Sequence, residues 1–407
     1  MLATTTMDAC SWVSAIALLA LFYQLPAVAL WLSRLLQGPS RRPPVQPVAA
    51  GEQKSPNSGA ITIVVPTLNE AARIGPCLAG LRQQGDDVRE ILIVDSESQD
   101  GTREQVKAVA AQDSRFQLLS DAPLPPGWIG RPWALHTGFL NSSPHSHWIL
   151  GIDADTQPAP QLAASLASAA DAAGYDLVSL SPRFILKTWP ECWLQPALLM
   201  TLLYRFGPVG QPPLTAERVM ANGQCFLCRR QLLRSLNGYT AARSSFCDDV
   251  TLARQAALQG AKVGFWDGAE LLDVRMYEGF WETWQEWGRS LDLKDASSRS
   301  QLWSDIWLLS AVQALPWLLL PLGFGAIYTN LVSPMVWWLL SVNGSLIVIR
   351  VALLAALRPS YRLEAGGWAF WLSPLADPLA TLRIVLSALQ RPTQWRGRIY
   401  ATSVADR

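Results

Sequence analysis

The chain has 407 residues, 50% of them hydrophobic, with 33 basic against 32 acidic side chains and a net charge of +1. That length exceeds one ordinary domain and predicts a catalytic domain plus a second component, while near-zero charge gives no reason to expect a nucleic-acid partner. The six cysteines are scattered, which argues for free thiols and against a disulfide framework.

From Trp12 to Leu32 no charged residue occurs, which matches the roughly 20 residues needed to cross the hydrocarbon of a bilayer. The positively charged leader of a secretory signal is lacking, so residues 1–37 are read as a retained transmembrane anchor. No Lys or Arg precedes Trp12, whereas Arg34, Arg41 and Arg42 follow the span. The positive-inside rule then puts the following region in the cytoplasm. Residues 38–59, rich in Pro, Ser and Gly, predict a flexible linker.

Structure is predicted to begin abruptly at Ile61. The β-branched runs Ile61 to Pro66 and Glu90 to Asp95 are separated by a helical pattern carrying Leu78 and Leu81 on one face. Further strands are expected at Phe116 to Leu119, Trp148 to Asp153 and Asp176 to Leu180. Alternation of strands with helices predicts an α/β fold, a mostly parallel sheet covered on both faces with ligands at the carboxyl ends of its strands. A strand near Gln224 to Cys228, a helix opened by Asp248 and Asp249 and closed by Gly260, and a strand at Lys262 to Trp266 complete a domain read as residues 60–290. His145 and His147 sit in a Ser- and Pro-rich loop and read as a solvated turn. Cys225 and Cys228 have CxxC spacing without a second pair, and read as small buried core residues.

Residues 291–407 are read as a C-terminal membrane region with a cytoplasmic tail. Between Asp305 and Arg350 no charge occurs, so a hairpin of two crossings is expected over about 306–349, turning near Asn330, Ser333 and Pro334. Arg350, Arg358 and Arg362 would then mark the inner face. The segment 368–390, interrupted by Asp377, Arg383 and two prolines, is expected to lie at the interface or re-enter it.

Two acidic signatures lie at strand ends, VDSESQDGT at Val94 to Thr102 and DAD at Asp153 to Asp155. Two carboxylates one residue apart after an apolar strand can hold a divalent ion that neutralises a diphosphate. Together with PTLNE at Pro66 to Glu70, GRPWALHTGF at Gly130 to Phe139 and CDDVTLARQAALQG at Cys247 to Gly260, they form an ordered set that resembles the family 2 inverting glycosyltransferases with the GT-A fold. Within that family, LPPGW at Leu124 to Trp128, RSLDLKD at Arg289 to Asp295 and WRGRIY at Trp395 to Tyr400 look similar to hopanoid-associated and carotenoid glycosyltransferases, the carotenoid 2'-O-glycosyltransferases in particular.

The resemblance implies a nucleotide-sugar site formed by Pro66, Asn69, Glu70, Asp95, Ser96, Arg131 and Asp153. It implies Mg²⁺ or Mn²⁺ held by Asp155 and Asp153, with Asp249 as general base and Asp248 beside it. Each residue also has an ordinary reading: Asn69 and Glu70 as a helix cap, Arg131 as a surface arginine, and Asp248 with Asp249 as an N-cap. The acceptor is inferred from aromatic, apolar surface at Trp189, Trp193 and Tyr204, and from a stripe at Tyr277, Trp281 and Trp284 with Arg289 beyond it. The expected activity is transfer of a sugar from a UDP- or GDP-sugar to a hydroxyl of a membrane lipid, most specifically the 2'-hydroxyl of a myxol-type carotenoid. Polyprenyl phosphate, hopanoid or glycerolipid are alternative acceptors, and a non-catalytic scaffold that binds nucleotide sugar is the alternative of another class.

Overall fold

The computed structural model describes residues 9–36, 42–48, 59–287, 291, 293–390, 394–395 and 398–399. Its centre is a seven-stranded sheet in the order β3-β2-β1-β4-β8-β6-β9, formed by β1 (Ile61–Thr67), β2 (Val88–Asp95), β3 (Phe116–Ser120), β4 (Trp148–Ile152), β6 (Leu177–Ser181), β8 (Cys225–Arg229) and β9 (Val263–Asp267). All neighbours run parallel except β8, which is antiparallel to both β4 and β6. Every residue of β1 is buried, as expected for a strand covered by helices on both faces. Its side chains alternate between two cores. Ile61, Ile63 and Val65 pack with Ile74 and Leu78 of α2 (Ile74–Arg82), Val106 of α3 (Thr102–Ala110) and Leu166 of α5 (Leu162–Ala172). Val64 points the other way, toward Ala134 and Leu135 of α4 (Gly130–Asn141) and Val250 of α8 (Asp248–Leu258).

A second sheet of short strands, in the order β11-β7-β10-β5, extends this body. It joins β5 (Thr156–Pro158), β7 (Arg183–Leu186), β10 (Leu272–Val274) and β11 (Tyr361–Leu363). The last of these comes from beyond the apolar hairpin, so the C-terminal region is hydrogen-bonded into the catalytic body.

Among the described residues four helical segments are long and apolar enough to cross a membrane: α1 (Ala9–Leu35), the continuous helix Arg299–Tyr328, α12 (Pro334–Ala356) and Gly367–Leu389. The second comprises α10 (Arg299–Leu309), a π turn at Ser310–Ala314 and α11 (Leu315–Tyr328). That widened turn offers groups to neighbours, as π turns do. The Ala311 carbonyl accepts from Gln24 of α1, and Gln313 donates to Ala197 O and Asp377 Oδ1. The segment Gly367–Leu389 is not one regular helix; a 3₁₀ stretch (Gly367–Ala376) precedes α13 (Asp377–Leu389). Arg350, expected at the inner surface, is 2% exposed and bonded to Asp377 at 2.8 Å. Burial of both charges is sustained by their mutual pairing.

Two further expectations are corrected. Residues 42–48, read as part of a free tether, lie along the domain: Arg42 N donates to Gly210 O, Val45 N to Asp267 O, and the Arg42 guanidinium sits 4.0 Å from the Trp266 ring centroid. The charge-poor stretch Trp189–Phe206 is a single helix, α6, started by a Thr188/Glu191 capping box. Most of it is internal, and Leu194, Ala197, Leu198 and Tyr204 pack against α1, α10 and α13.

Candidate active site

In the main sheet the strand order reverses between β1 and β4, and a crevice opens outside their carboxyl ends, as at any topological switch point. Pro66 is the penultimate residue of β1 and Asp153 follows β4; the last pair across their ladder is Val64 with Gly151. The chain then turns sharply. Thr156 Oγ1 donates to the Asp153 carbonyl at 2.8 Å, which holds Asp153, Ala154 and Asp155 on the rim. Asp153, Asp155, Pro66, Glu70, Arg131 and Asp249 all line one cavity of about 1000 Å³.

Arg131, in the first turn of α4, organises the charges. Its Nε and Nη2 donate to Asp153 Oδ1 at 3.0 and 2.9 Å, Nη2 also to Gly223 O at 2.8 Å, and Nη1 to Asp248 Oδ2. Asp249, the next residue of α8, accepts from Gly223 N at 2.6 Å and from Val250 N at 2.8 Å. The DAD turn and the start of α8 are thus joined through one guanidinium and one glycine. A Cβ at Gly223 would stand 2.3 Å from Arg131 Nη2, so a side chain there would displace the guanidinium from its carboxylates. Burial pushes Asp248 up to about 7 against the pull of Arg131. Burial also raises Asp249, opposed by Arg131 and by its two backbone donors. Arg131 itself is raised: burial opposes its charge, but Asp153, Asp248 and Asp249 outweigh it.

Asp95, Ser96 and Asn69 stand elsewhere. Asp95 is fully buried at the end of β2, accepting from Arg103 Nη1 at 2.9 Å, Ser98 N at 3.1 Å and Thr67 Oγ1 at 3.3 Å. Ser96 donates to Asp121 Oδ2. Asn69 adopts a left-handed backbone (φ 54°) and accepts from Gln99 N, which ties the two loops beyond β1 and β2 together. None of the three lines the cavity.

The proposed acceptor residues are not brought together either. Tyr204 is 1% exposed and packs on Trp31 with ring centroids 4.8 Å apart. Trp193 is partly buried in the packing around α6. Trp281 is 70% exposed, whereas Trp284 stacks on Phe280 and lies under Arg383 of α13, so no single stripe exists on α9 (Gly279–Glu286). Tyr277 precedes that helix. Trp189 is exposed at the start of α6; Arg289 lies outside the described residues. The apolar wall of the cavity is made instead by Leu199, Leu202, Leu203, Phe206 and Met276.

Among the described residues no three His, Cys, Asp or Glu side chains form a ready metal cage. The donor set of Asp153 and Asp155 nevertheless suits a hard divalent cation of the Mg²⁺ class. Such an ion keeps waters and completes its shell with substrate phosphates, asking the protein for only one or two carboxylates. All six cysteines are free, and Cys225 and Cys228 are buried in β8.

Residues 62–236 match the family model described as Glycosyl transferase family 2. No curated protein sequence matches the chain. Among solved structures, a mannosyltransferase from Pyrobaculum calidifontis in complex with GDP-Man and Mn²⁺ superposes with a TM-score of 0.52 at 18% identity, covering 92% of this chain and 99% of that one. Glucosyl-3-phosphoglycerate synthase from Mycobacterium tuberculosis, in complex with Mn²⁺, UDP-glucose and phosphoglyceric acid, gives 0.43 at 20% identity over 63% of this chain and 85% of that one. The first likeness establishes the fold, GT-A, for this chain.

Proposed function

From the premise that this chain is a glycosyltransferase carrying a family 2 domain on a GT-A fold, we propose that it moves a sugar from a UDP- or GDP-sugar to a hydroxyl of a membrane lipid. The observation that carries the mechanism is the Arg131 bridge, which sets the DAD turn beside Asp249 within one cavity. Asp153 and Asp155 are the residues to hold Mg²⁺ or Mn²⁺, which when bound supplies positive charge to the departing diphosphate.

Asp249 accepts the proton of the acceptor hydroxyl as that oxygen attacks the anomeric carbon. The bond from that carbon to the diphosphate oxygen breaks, its electron pair leaving with the nucleoside diphosphate, and configuration inverts. A carboxylate whose pKa is raised by burial is a better base than an exposed one. The hydrogen bonds from Gly223 N and Val250 N hold it in one orientation for the transfer. Arg131 keeps Asp153 and Asp248 in register, so the metal motif and the base are one rigid constellation. No second carboxylate nucleophile is required for a single displacement.

A lipid acceptor is supported by the apolar wall of α6, which continues toward the four apolar helices. Arg34 after the first of these, with Arg358 and Arg362 after the third, supports a catalytic domain on the cytoplasmic face. The sequence resemblance favours a hydroxylated carotenoid as the acceptor. Lipids and pigments compared by mass between cells with and without the protein should differ by one glycosylated species. Complementation with Asp249→Asn should fail, with purified activity reduced about 10²- to 10⁴-fold. An unchanged profile, or full complementation by the variant, contradicts the proposal.

A further inference from the structure

At the end of the cavity nearest α1 the charges of the described residues do not balance. Arg34, in the last turn of α1, and Arg218 both line it. Arg218 Nη1 donates to Asp305 Oδ1 at 3.1 Å, and Arg34 Nη1 stands 3.9 Å from the same oxygen. Both guanidiniums also donate to the Arg205 carbonyl. Behind them Arg254 is 5% exposed, spends Nε and Nη1 on the carbonyls of Val219 and Ala296, and leaves a buried Nη2 with no hydrogen-bond partner. Arg218 and Arg254 approach the Phe206 ring centroid to 5.9 and 5.7 Å. Among the described residues these three guanidiniums share one buried carboxylate, Asp305; Glu217, the other acid near Arg254, is exposed.

Gln211 adds a donor at the same place. Its Nε2 is buried without a partner, and its Oε1 lies 3.0 Å from where a Cβ on Gly207 would stand, with the Arg34 carbonyl 3.9 Å from that point. Uncompensated guanidiniums and an orphaned amide donor in a partly enclosed cavity are costly unless an anion completes them. Arginine forks select planar or tetrahedral oxyanions, phosphate above all.

We propose that Arg34, Arg218 and Gln211, backed by Arg254, form a phosphate-binding subsite filled by the headgroup of a membrane lipid. The depth argues for that source. Arg34 closes an apolar helix of membrane-crossing length, which sets the subsite where headgroup phosphates lie. Leu202, Leu203 and Leu214 provide apolar surface beside it. The inference stands on the cavity's charge balance and goes beyond the proposed glycosyl transfer, since it holds whichever hydroxyl is glycosylated.

The test uses the full-length protein in an uncharged detergent with EDTA, which removes any metal-mediated phosphate binding at Asp153 and Asp155. Dioctanoyl phosphatidic acid should raise the unfolding midpoint saturably, and Arg218→Gln should weaken its apparent affinity roughly 10- to 100-fold. Gln211→Glu supplies the missing negative charge from the protein. It should raise the midpoint without lipid and abolish the lipid-dependent shift, which keeps the test decisive should Arg218→Gln fold poorly. An equal response to inorganic phosphate, lost in the same variants, supports the subsite with a soluble occupant in place of the lipid. Absence of any shift with either probe, or a shift that survives in Gln211→Glu, overturns it. Donor turnover is not measured, so failure here leaves the glycosyl-transfer reading standing.

Discussion

Arg131 reaches Asp153, Asp248 and the Gly223 carbonyl with one guanidinium, and its charge also acts on Asp249. Burial raises the Asp249 pKa while Arg131 pulls it down, so that cation favours the deprotonated, base-competent form. Arg131→Gln keeps amide donors but removes the charge. Asp249 then holds its proton to higher pH, and the acidic limb of the kcat/KM profile should move upward; a limb that stays in place contradicts this coupling. These residues stood out in the sequence through the ordered set of motifs they belong to, since each alone also reads as a cap or a surface charge. Gly223 was not legible. Its requirement comes from a side chain 92 positions away in the chain, and a glycine before a strand carries no local mark of such a neighbour.

The elements that frame the cavity owe their positions to close approach. Gly138 in the middle of α4 rests on Val64 of β1, and a Cβ at that glycine would meet Val64 Cγ1 at 2.2 Å. Since α4 carries Arg131 at its start, the contact also sets where the guanidinium emerges. Gly138→Ala should destabilise the protein by about 1 to 3 kcal/mol through overpacking, and adding Val64→Ala should recover part of that loss in a double-mutant cycle of unfolding free energies. Simple additivity of the two substitutions would show that the helix and strand are not in such contact. The long strands were readable from their β-branched runs, and α8 from its acidic start and terminal glycine. The three- and four-residue strands β5, β7, β10 and β11 were not, being too short to show alternation. Helix α6 reads as surface in the sequence because its Trp and Tyr content suits a membrane interface, whereas tertiary packing buries most of it.

Across the whole molecule, α6 and the Gly367–Leu389 segment bind the catalytic body to the apolar helices. Gln24 of α1 and Asn343 of α12 exchange amide hydrogen bonds at 2.9 and 3.1 Å, and Arg350 with Asp377 fixes α12 to the start of α13. Apolar length made the helices visible in the sequence, but the polar contacts that pack them came from isolated residues with no pattern of their own. The cavity therefore spans two environments, with the acidic turn and Asp249 at one end and the arginines beside α1 at the other. We propose that Asp155 and Asp153 bring a divalent cation to a nucleotide sugar in that cavity. This claim is tested most directly by following nucleoside diphosphate release from UDP- and GDP-sugars by the purified protein as Mn²⁺ is titrated. Saturable, Mn²⁺-dependent release that Asp155→Ala abolishes is the predicted result; release at equal rates in both proteins, or none in either, would contradict the claim and favour a non-catalytic scaffold.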